Sequence, residues 1–507
     1  VSGSPFRSWY LEASLNYNRN FGKHAITGLL LGQRRKAQSN VDFPSFQQGI
    51  AARVTYDYAS RYLLEANLSI NGSEQFAPEH RYGVFPSFGL GWNLHNEAFF
   101  KPLLPVIERA KIRASWGIVG SDAAGSRWLY TSSYSVGGTG NKYNAGTASN
   151  PGVKNTLILE DAAANANATW EKAKKQDIGF ELAFLKNQMF VLNVDFFKEH
   201  RYDILLDRMS VPDWFGVGLK QQNMGETQTY GYEIELKFQN RTSTGFYYWV
   251  KPAVSFSDNR IISRDEPLYK PEYQKQAGKR IYQLFGTVSQ GWVQDADMLM
   301  NSTRYGSGQF SLGDTRWIDF NGDGVIDVND QIPIGYAREY PLYNLSLNGG
   351  FRYKNFDFDI TFAGATCYSK VVSDAFMWPL HRLSNQVFEY QQDVWSPTNP
   401  DAAYPSYRYD ANRINNNIKD GDVNSNTVYD ATYVRLKSMN LGYNLPKEVC
   451  GMLGVESVNI YLRGNNLFTW SPFYPLSDPE ASDSGLNLAN AYYPMLRRFQ
   501  LGAKFMF

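Results

Sequence analysis

The stretch from Asp319 to Asp330 carries the sharpest local chemistry in the chain. Asp319, Asn321, Asp323, Asp327 and Asp330 place side-chain oxygens at loop positions one, three, five, nine and twelve. Gly324 at position six permits a sharp turn, and the carbonyl of Val325 would serve position seven. Hard cations favour such a cage of oxygens, so the spacing predicts Ca2+ (or Mg2+) in a structural role, ordering a long loop without catalysing anything. Position twelve is Asp, where calcium loops of the helix–loop–helix type carry Glu, and no flanking helices are evident. The plain alternative is a solvated turn rich in Asp and Asn.

Other residue types suggest contact chemistry or none. Trp214, Phe215, Trp292, Trp378, Trp395 and Trp470 fall in or beside connecting segments, where they could stack on a substrate, pack against a partner or sit in an interfacial girdle. Glu12, Asp195, Glu233, Glu235, Asp357 and Asp359 raise the question of paired carboxylates for glycoside hydrolysis. They occupy the polar parity of strands, where such side chains are expected anyway. The five histidines (His24, His80, His95, His200 and His381) lack metal-ligand spacing, and no nucleophile elbow is present. Cys367 and Cys450 are too few for a disulfide scaffold, and their expected places, near opposite edges of a membrane-spanning sheet, keep them from pairing. The chemistry is that of binding and transport, not of an enzyme.

The elements that position these groups are strands. At the C-terminus, Phe499, Leu501, Ala503, Phe505 and Phe507 share one face, while Gln500, Gly502 and Lys504 share the other. A bare strand edge ending the chain needs a partner, which a barrel supplies. The pattern recurs. Tyr62, Leu64, Ala66, Leu68 and Ile70 oppose Glu65, Asn67, Ser69 and Asn71; Phe356, Phe358, Ile360 and Phe362 oppose Asp357, Asp359 and Thr361. Many segments alternate over about 9–12 residues, the length that crosses a bilayer at barrel tilt. Connections alternate too: those at 20–23, 59–61, 187, 240–244 and 353–355 are tight, and long loops fall near 123–168, 259–339, 369–429 and 471–491. Short turns on one side and long loops on the other are the pattern of outer-membrane barrels.

Several details are expected within this frame. A short helix is predicted near 97–108, a strand starting at Ile50, a local hairpin around 281–294 and a helix-like stretch near 374–392. Tyr433–Tyr443 fits worst: Arg435 and Lys437 share a parity with Met439, Leu441 and Tyr443, which predicts a bulge or a position above the lipid band.

Composition agrees. In 507 residues, 50 Lys and Arg balance 49 Asp and Glu, so nothing points to a nucleic-acid surface. Aromatics reach 15%, with 34 Tyr. No apolar run is long enough for a helical span, and the negative mean hydropathy is compatible with strands of which only alternate residues meet lipid. The reading is an all-β, transmembrane antiparallel β-barrel of fifteen spans across residues 1–507. An odd count, and the absence of a signal peptide, point to something upstream.

WEKAKKQDIGFEL (170–182), NMGETQTYGYEIEL (223–236), WIDFNGDGVIDVNDQIPIG (317–335), YVRLKSMNLGYNLP (433–446) and RGNNLFTWSPF (463–473) resemble the C-terminal part of SusC/RagA-like TonB-dependent outer-membrane transporters of Bacteroidetes. FPSFGLGW (85–92) and the terminal YYPMLRRFQLGAKFMF (492–507) resemble the same family. The resemblance implies a barrel of about 22 strands with an N-terminal plug, of which this chain would supply the last fifteen. It implies a SusD-like surface lipoprotein as partner, with TonB reached through the missing N-terminal region. The implied function is TonB-powered import of a bulky nutrient, glycan or peptide. A passive or structural barrel that anchors a surface-exposed binding complex is the alternative.

Overall fold

The computed structural model describes residues 5–39, 43–125, 127–136, 142–144, 154–305, 310–338, 340–372, 380, 387–408, 414–415, 417–419, 422–473, 476–481 and 495–507. Fifteen strands form one antiparallel sheet in chain order. They are β1 (Phe6–Phe21), β2 (His24–Ser39), β3 (Ser45–Tyr58), β4 (Tyr62–Ser73), β5 (Tyr82–Asn93), β6 (Ile107–Ser121), β7 (Glu171–Phe184), β8 (Phe190–Leu206), β9 (Gln222–Arg241), β10 (Tyr247–Ser263), β11 (Tyr343–Tyr353), β12 (Phe356–Thr366), β13 (Tyr433–Asn444), β14 (Ser457–Trp470) and β15 (Arg498–Met506). The number of spans read from alternation is the number found.

The tight turns have local causes. Gly22 takes φ +63°, and Ala59 and Ser60 take φ +53° and +54°, the left-handed geometry that matches the twist of two paired strands. The Ser60 amide donates to Asp57 Oδ1 at 2.6 Å, so a side chain secures that turn. The predicted bulge is present: Thr361 pairs with Ser438 and Phe362 with Leu436, leaving Lys437 as the extra residue. It lets Arg435 and Lys437 share one face while Leu436 and Met439 share the other.

Four expectations need correction. β3 begins at Ser45, because pairing with β2 and β4 continues past the point where alternation fades. The helix expected near 97–108 is two 3-10 turns, Leu94–Asn96 and Ala98–Leu103, and β6 already starts at Ile107. The loop at 123–168 contains paired strands, Ser133–Val136 against Ile158–Ala163 among them. The segment at 281–294 is no local hairpin: Gln283–Gly286 pairs with Ile332–Ala337, and Ser289 and Trp292 pair with Trp317 and Thr315. Most of 374–392 lies outside the described residues, and its end forms a 3-10 turn at Glu389–Gln392.

The chain divides into two compact units. The first comprises Val1–Lys186, Asn193–Tyr232 and Asn259–Lys270. Its buried cluster gathers Phe76, Phe85, Leu129, Ala168, Trp170 and Leu205. Tyr58, Tyr62 and Trp92 form an aromatic ladder on its apolar face, with successive ring centroids 6.3 Å apart. The second unit comprises Asn187–Leu192, Glu233–Asp258 and Pro271–Phe507. Its excursions between β10 and β11, and between β12 and β13, share a core of Tyr305, Trp317, Ile326, Tyr404 and Ile418. Phe246, Phe351, Phe358, Phe356 and Tyr443 lie near its tight turns, with ring contacts of 5.6 Å for Phe246–Phe351 and 4.8 Å for Phe356–Tyr443.

Candidate functional site

The acidic loop is folded around its own backbone. Asp319 Oδ1 accepts the amides of Gly322 (2.7 Å) and Asp323 (3.2 Å), and its Oδ2 accepts that of Gly324 (2.8 Å). Asp323 Oδ1 accepts the Val325 amide, Asn321 Nδ2 donates to Asp323 Oδ2, and Asp327 Oδ1 accepts the Asn329 amide. Asp330 is buried and bridges the loop, taking the Phe320 amide on one oxygen and the Asp327 amide on the other. Gly322 and Gly324 adopt φ +74° and +83°, a region that other side chains rarely enter.

Ile326 anchors the loop in the core of the second unit, and Tyr273 donates to the Asn329 carbonyl at 2.7 Å. The donor set suits a hard cation in chemical type. Among the described residues, however, no three acidic, histidine or cysteine side chains are gathered closely enough to hold an ion as they stand.

The aromatic candidates separate. Trp214 and Phe215 form an exposed 3-10 turn, Trp214 at 88% exposure. Trp395 is buried, with its indole N–H toward Gln294 Oε1 (3.4 Å), and Trp292 donates to the Ala402 carbonyl (2.7 Å). Trp470 lies across from Val434 at the end of β14. Trp378 falls outside the described residues.

Sequence reasoning missed a clamp on the segment that precedes the exposed pair. Asp265 accepts from the amides of Met209 (2.7 Å) and Ser210 (3.0 Å), from Ser210 Oγ (2.6 Å) and from Arg208 Nε (3.3 Å). Two loops are thereby clamped together, presenting Leu268 and Tyr269 at 99% and 89% exposure. Burial works against ionisation of Asp265, but the Ser210 and Met209 hydrogen bonds and Arg208 outweigh it and hold its pKa down to about 2. A depressed carboxylate pKa stabilises the folded clamp above its unfolded value, about 3.9, and that contribution disappears as pH falls through about 2. Peptic cleavage at Phe215 and Leu268, normalised to a reference peptide, should therefore rise between about pH 4 and about pH 2. In Asp265→Asn, cleavage should start high and lose that dependence.

Five of the six polar-face carboxylates are engaged. Asp195 meets Arg113 Nη2 at 2.6 Å, Glu235 meets Lys251 at 2.7 Å, and Glu12 accepts from Tyr10 at 2.5 Å. Asp357 accepts from Asn444 and Asn459, and Glu233 lies 3.5 Å from Ser255 Oγ. Asp359 approaches Gly350, where a Cβ would lie 3.0 Å from its carboxylate. His24 hydrogen-bonds Tyr56, His95 the Ala110 carbonyl and His200 Glu226. His80 ends a 3-10 turn, and His381 lies outside the described residues. Both cysteines are free.

The family model described as "TonB dependent receptor-like, beta-barrel" matches residues 4–366. The chain belongs to that family. It is 27% identical to TonB-dependent receptor P3 of Formosa agariphila, over 98% of this chain and 52% of the relative. It is 25% identical to TonB-dependent receptor SusC of Bacteroides thetaiotaomicron, over 90% and 43%. The RagAB peptide importer in its open-open state superposes with a TM-score of 0.74 at 15% identity, over 99% of this chain and 54% of that one. The chain thus spans about half the length of the curated relatives it matches. It is an outer-membrane, SusC/RagA-like barrel chain.

Proposed function

We propose that the receptor carrying this chain imports a bulky nutrient, an oligosaccharide or a peptide, across the outer membrane under TonB power, with a SusD-like surface lipoprotein as its partner. The observation that carries this reading is the receptor-barrel match along residues 4–366. A relative named SusC and a superposable peptide importer support it. Transport rather than catalysis also agrees with polar-face carboxylates engaged by cations, hydroxyls and amides. The exposure of Trp214, Phe215 and Trp470 supports them as contacts for substrate or partner. Deleting the full-length gene in its native host should abolish growth on one defined oligosaccharide or peptide mixture, and severing TonB coupling should do the same. Uptake that survives uncoupling would favour the passive anchoring barrel.

The 319–330 loop belongs to the same reading as a structural Ca2+ (or Mg2+) site, through Asp319, Asn321, Asp323, the Val325 carbonyl, Asp327 and Asp330. Binding would draw carboxylates together in a loop whose backbone is already closed by Asp319 and Asp330. Saturating Ca2+ should then stabilise the loop, by about 2.7 kcal/mol at a hundredfold excess over Kd. The check is proteolytic protection of the loop in the full-length receptor, titrated with Ca2+ at constant ionic strength. Asp323→Ala should remove the effect, and an unchanged wild-type profile would eliminate the site.

A further inference from the structure

Five connections on the tight-turn side are short: 22–23, 59–61, 185–189, 242–246 and 354–355. Two others, 94–106 and 445–456, are much longer, and each folds into short helical turns. A span needs only a tight turn on this side, the periplasmic one by the general rule for such barrels. The extra length therefore calls for a reason, and the side chains supply one.

In the first unit, 98–106 reads AFFKPLLPV. Phe99, Leu103 and Val106 are exposed at 63%, 48% and 54%, although Phe100 beside them is buried. The polar groups point the other way. Glu97 is buried, accepts the Trp92 indole N–H at 3.2 Å and lies 3.7 Å from Arg61. Asn96 Nδ2 donates to the Ser60 carbonyl at 2.6 Å, and the Leu185 amide donates to the Val106 carbonyl at 2.7 Å. The connector is thus tied to the neighbouring turns by its polar atoms and turns its apolar atoms outward. Phe99 also sets its ring edge-on to Trp92, with centroids 6.3 Å apart. The exposed surface therefore continues the lipid-facing ladder of Tyr58, Tyr62 and Trp92.

The second unit repeats the arrangement with different residues. β13 ends beside Tyr443, whose ring packs on Phe356. The helix Lys447–Met452 follows, buries Cys450, and exposes Val449, Met452 (85%) and Leu453. In each connector an exposed lysine, Lys101 or Lys447, stands beside the apolar tips, the placement that lets an ammonium reach lipid phosphates while its stem stays in the boundary.

We infer that the connectors 94–106 and 445–456 are interfacial feet, embedded in the inner leaflet of the outer membrane as continuations of the aromatic girdles. Their ligand is phospholipid. The inference rests on the outer-membrane placement of the chain, not on the transport reading.

The test uses the full-length receptor in its native outer membrane. Benzoylphenylalanine replaces Phe99, Leu103 or Met452 in separate variants, with Leu64 on the lipid face of β4 as positive reference and the exposed loop residue Tyr269 as negative reference. Heat-modifiable migration selects folded variants. Irradiation should give phospholipid adducts at all three positions, as at Leu64. Adducts to protein, or none above the Tyr269 level, would overturn the inference. The unmodified receptor gives a second reading: hydroxyl-radical oxidation of Met452 should be suppressed relative to the loop residue Met300, which has matching exposure of 82%. Equal oxidation of the two would likewise overturn it.

Discussion

Arg435→Ala is expected to release the segment 476–481 and to lower stability by about 3–5 kcal/mol, the range for removing one partner of a buried charge pair. Arg435 is 1% exposed. Its guanidinium bonds Asp478 at 2.5 Å and also Glu480, and its Nε donates to Thr469 Oγ1 at 2.9 Å. Lys437 reaches both oxygens of Glu480, and Tyr433 donates to it at 2.8 Å. Tyr368 and Lys370 hold the carbonyls of Pro479 and Ala481. Removing the fork takes the Oδ2 donor from Asp478, which keeps the Glu480 amide on Oδ1, while Glu480 keeps Lys437 and Tyr433; an unpaired buried acceptor costs more than the lost bond itself. Arg435→Lys should be intermediate, since it keeps the charge without the planar geometry.

Burial alone would raise the Glu480 pKa, but Lys437, Tyr433 and Arg435 bring it below the usual carboxylate range. The strap should therefore persist at neutral pH and loosen only as acid protonates Glu480 below that range. Limited proteolysis of the strap, together with guanidinium unfolding followed by gel migration, measures both effects. Wild-type resistance in Arg435→Ala would refute the assignment.

Trp170→Ala should be comparably severe, at about 3–5 kcal/mol for truncating a buried tryptophan. The ring closes the place where β5 and β6 part. Their pairing runs only from Ser87–Gly117 to Asn93–Lys111, whereas β5 stays paired with β4 as far as Tyr82. Phe85 fills the divergence and Trp170 meets it at 5.3 Å, edge to face. Phe76 packs on the other side, and the indole N–H donates to the Arg81 carbonyl at 3.2 Å. Gly120 is required here, because a Cβ there would lie 2.0 Å from the Phe85 ring. Trp170→Phe should recover much of the loss by refilling the volume, though the Arg81 carbonyl keeps only the Ser73 amide of its two donors. Denaturation midpoints of the two variants decide the point: equal losses would mean that the hydrogen bond, not the packing, dominates.

The strands were legible because alternation needs nothing beyond neighbouring residues. Even the bulge at Lys437 announced itself, as two cations on the wrong parity for the apolar residues that follow. Pairing across long excursions left no local trace. Gln283–Gly286 finds its partner at Ile332–Ala337 only through the tertiary fold, and short polar-flanked strands such as Ser133–Val136 look like loop. The candidate site was legible in its acidic spacing, which is a property of consecutive residues. Burial was not: nothing near Trp395 or Trp214 in the sequence tells that one is enclosed and the other bare. Asp265 escaped notice because its partners, Arg208 to Ser210, lie on a different loop.

The shared core of the two large excursions bears on how such receptors diversify. Tyr305, Trp317 and Ile326 come from one excursion, Tyr404 and Ile418 from the other, and Trp317 donates its indole N–H to the Asn417 carbonyl across them. Neither excursion encloses its aromatic side chains by itself. A recombination event that replaced only one would leave half a core facing water, so the two should be inherited as a single cassette. Chimaeras between relatives ought to fold when both segments travel together and fail when either travels alone.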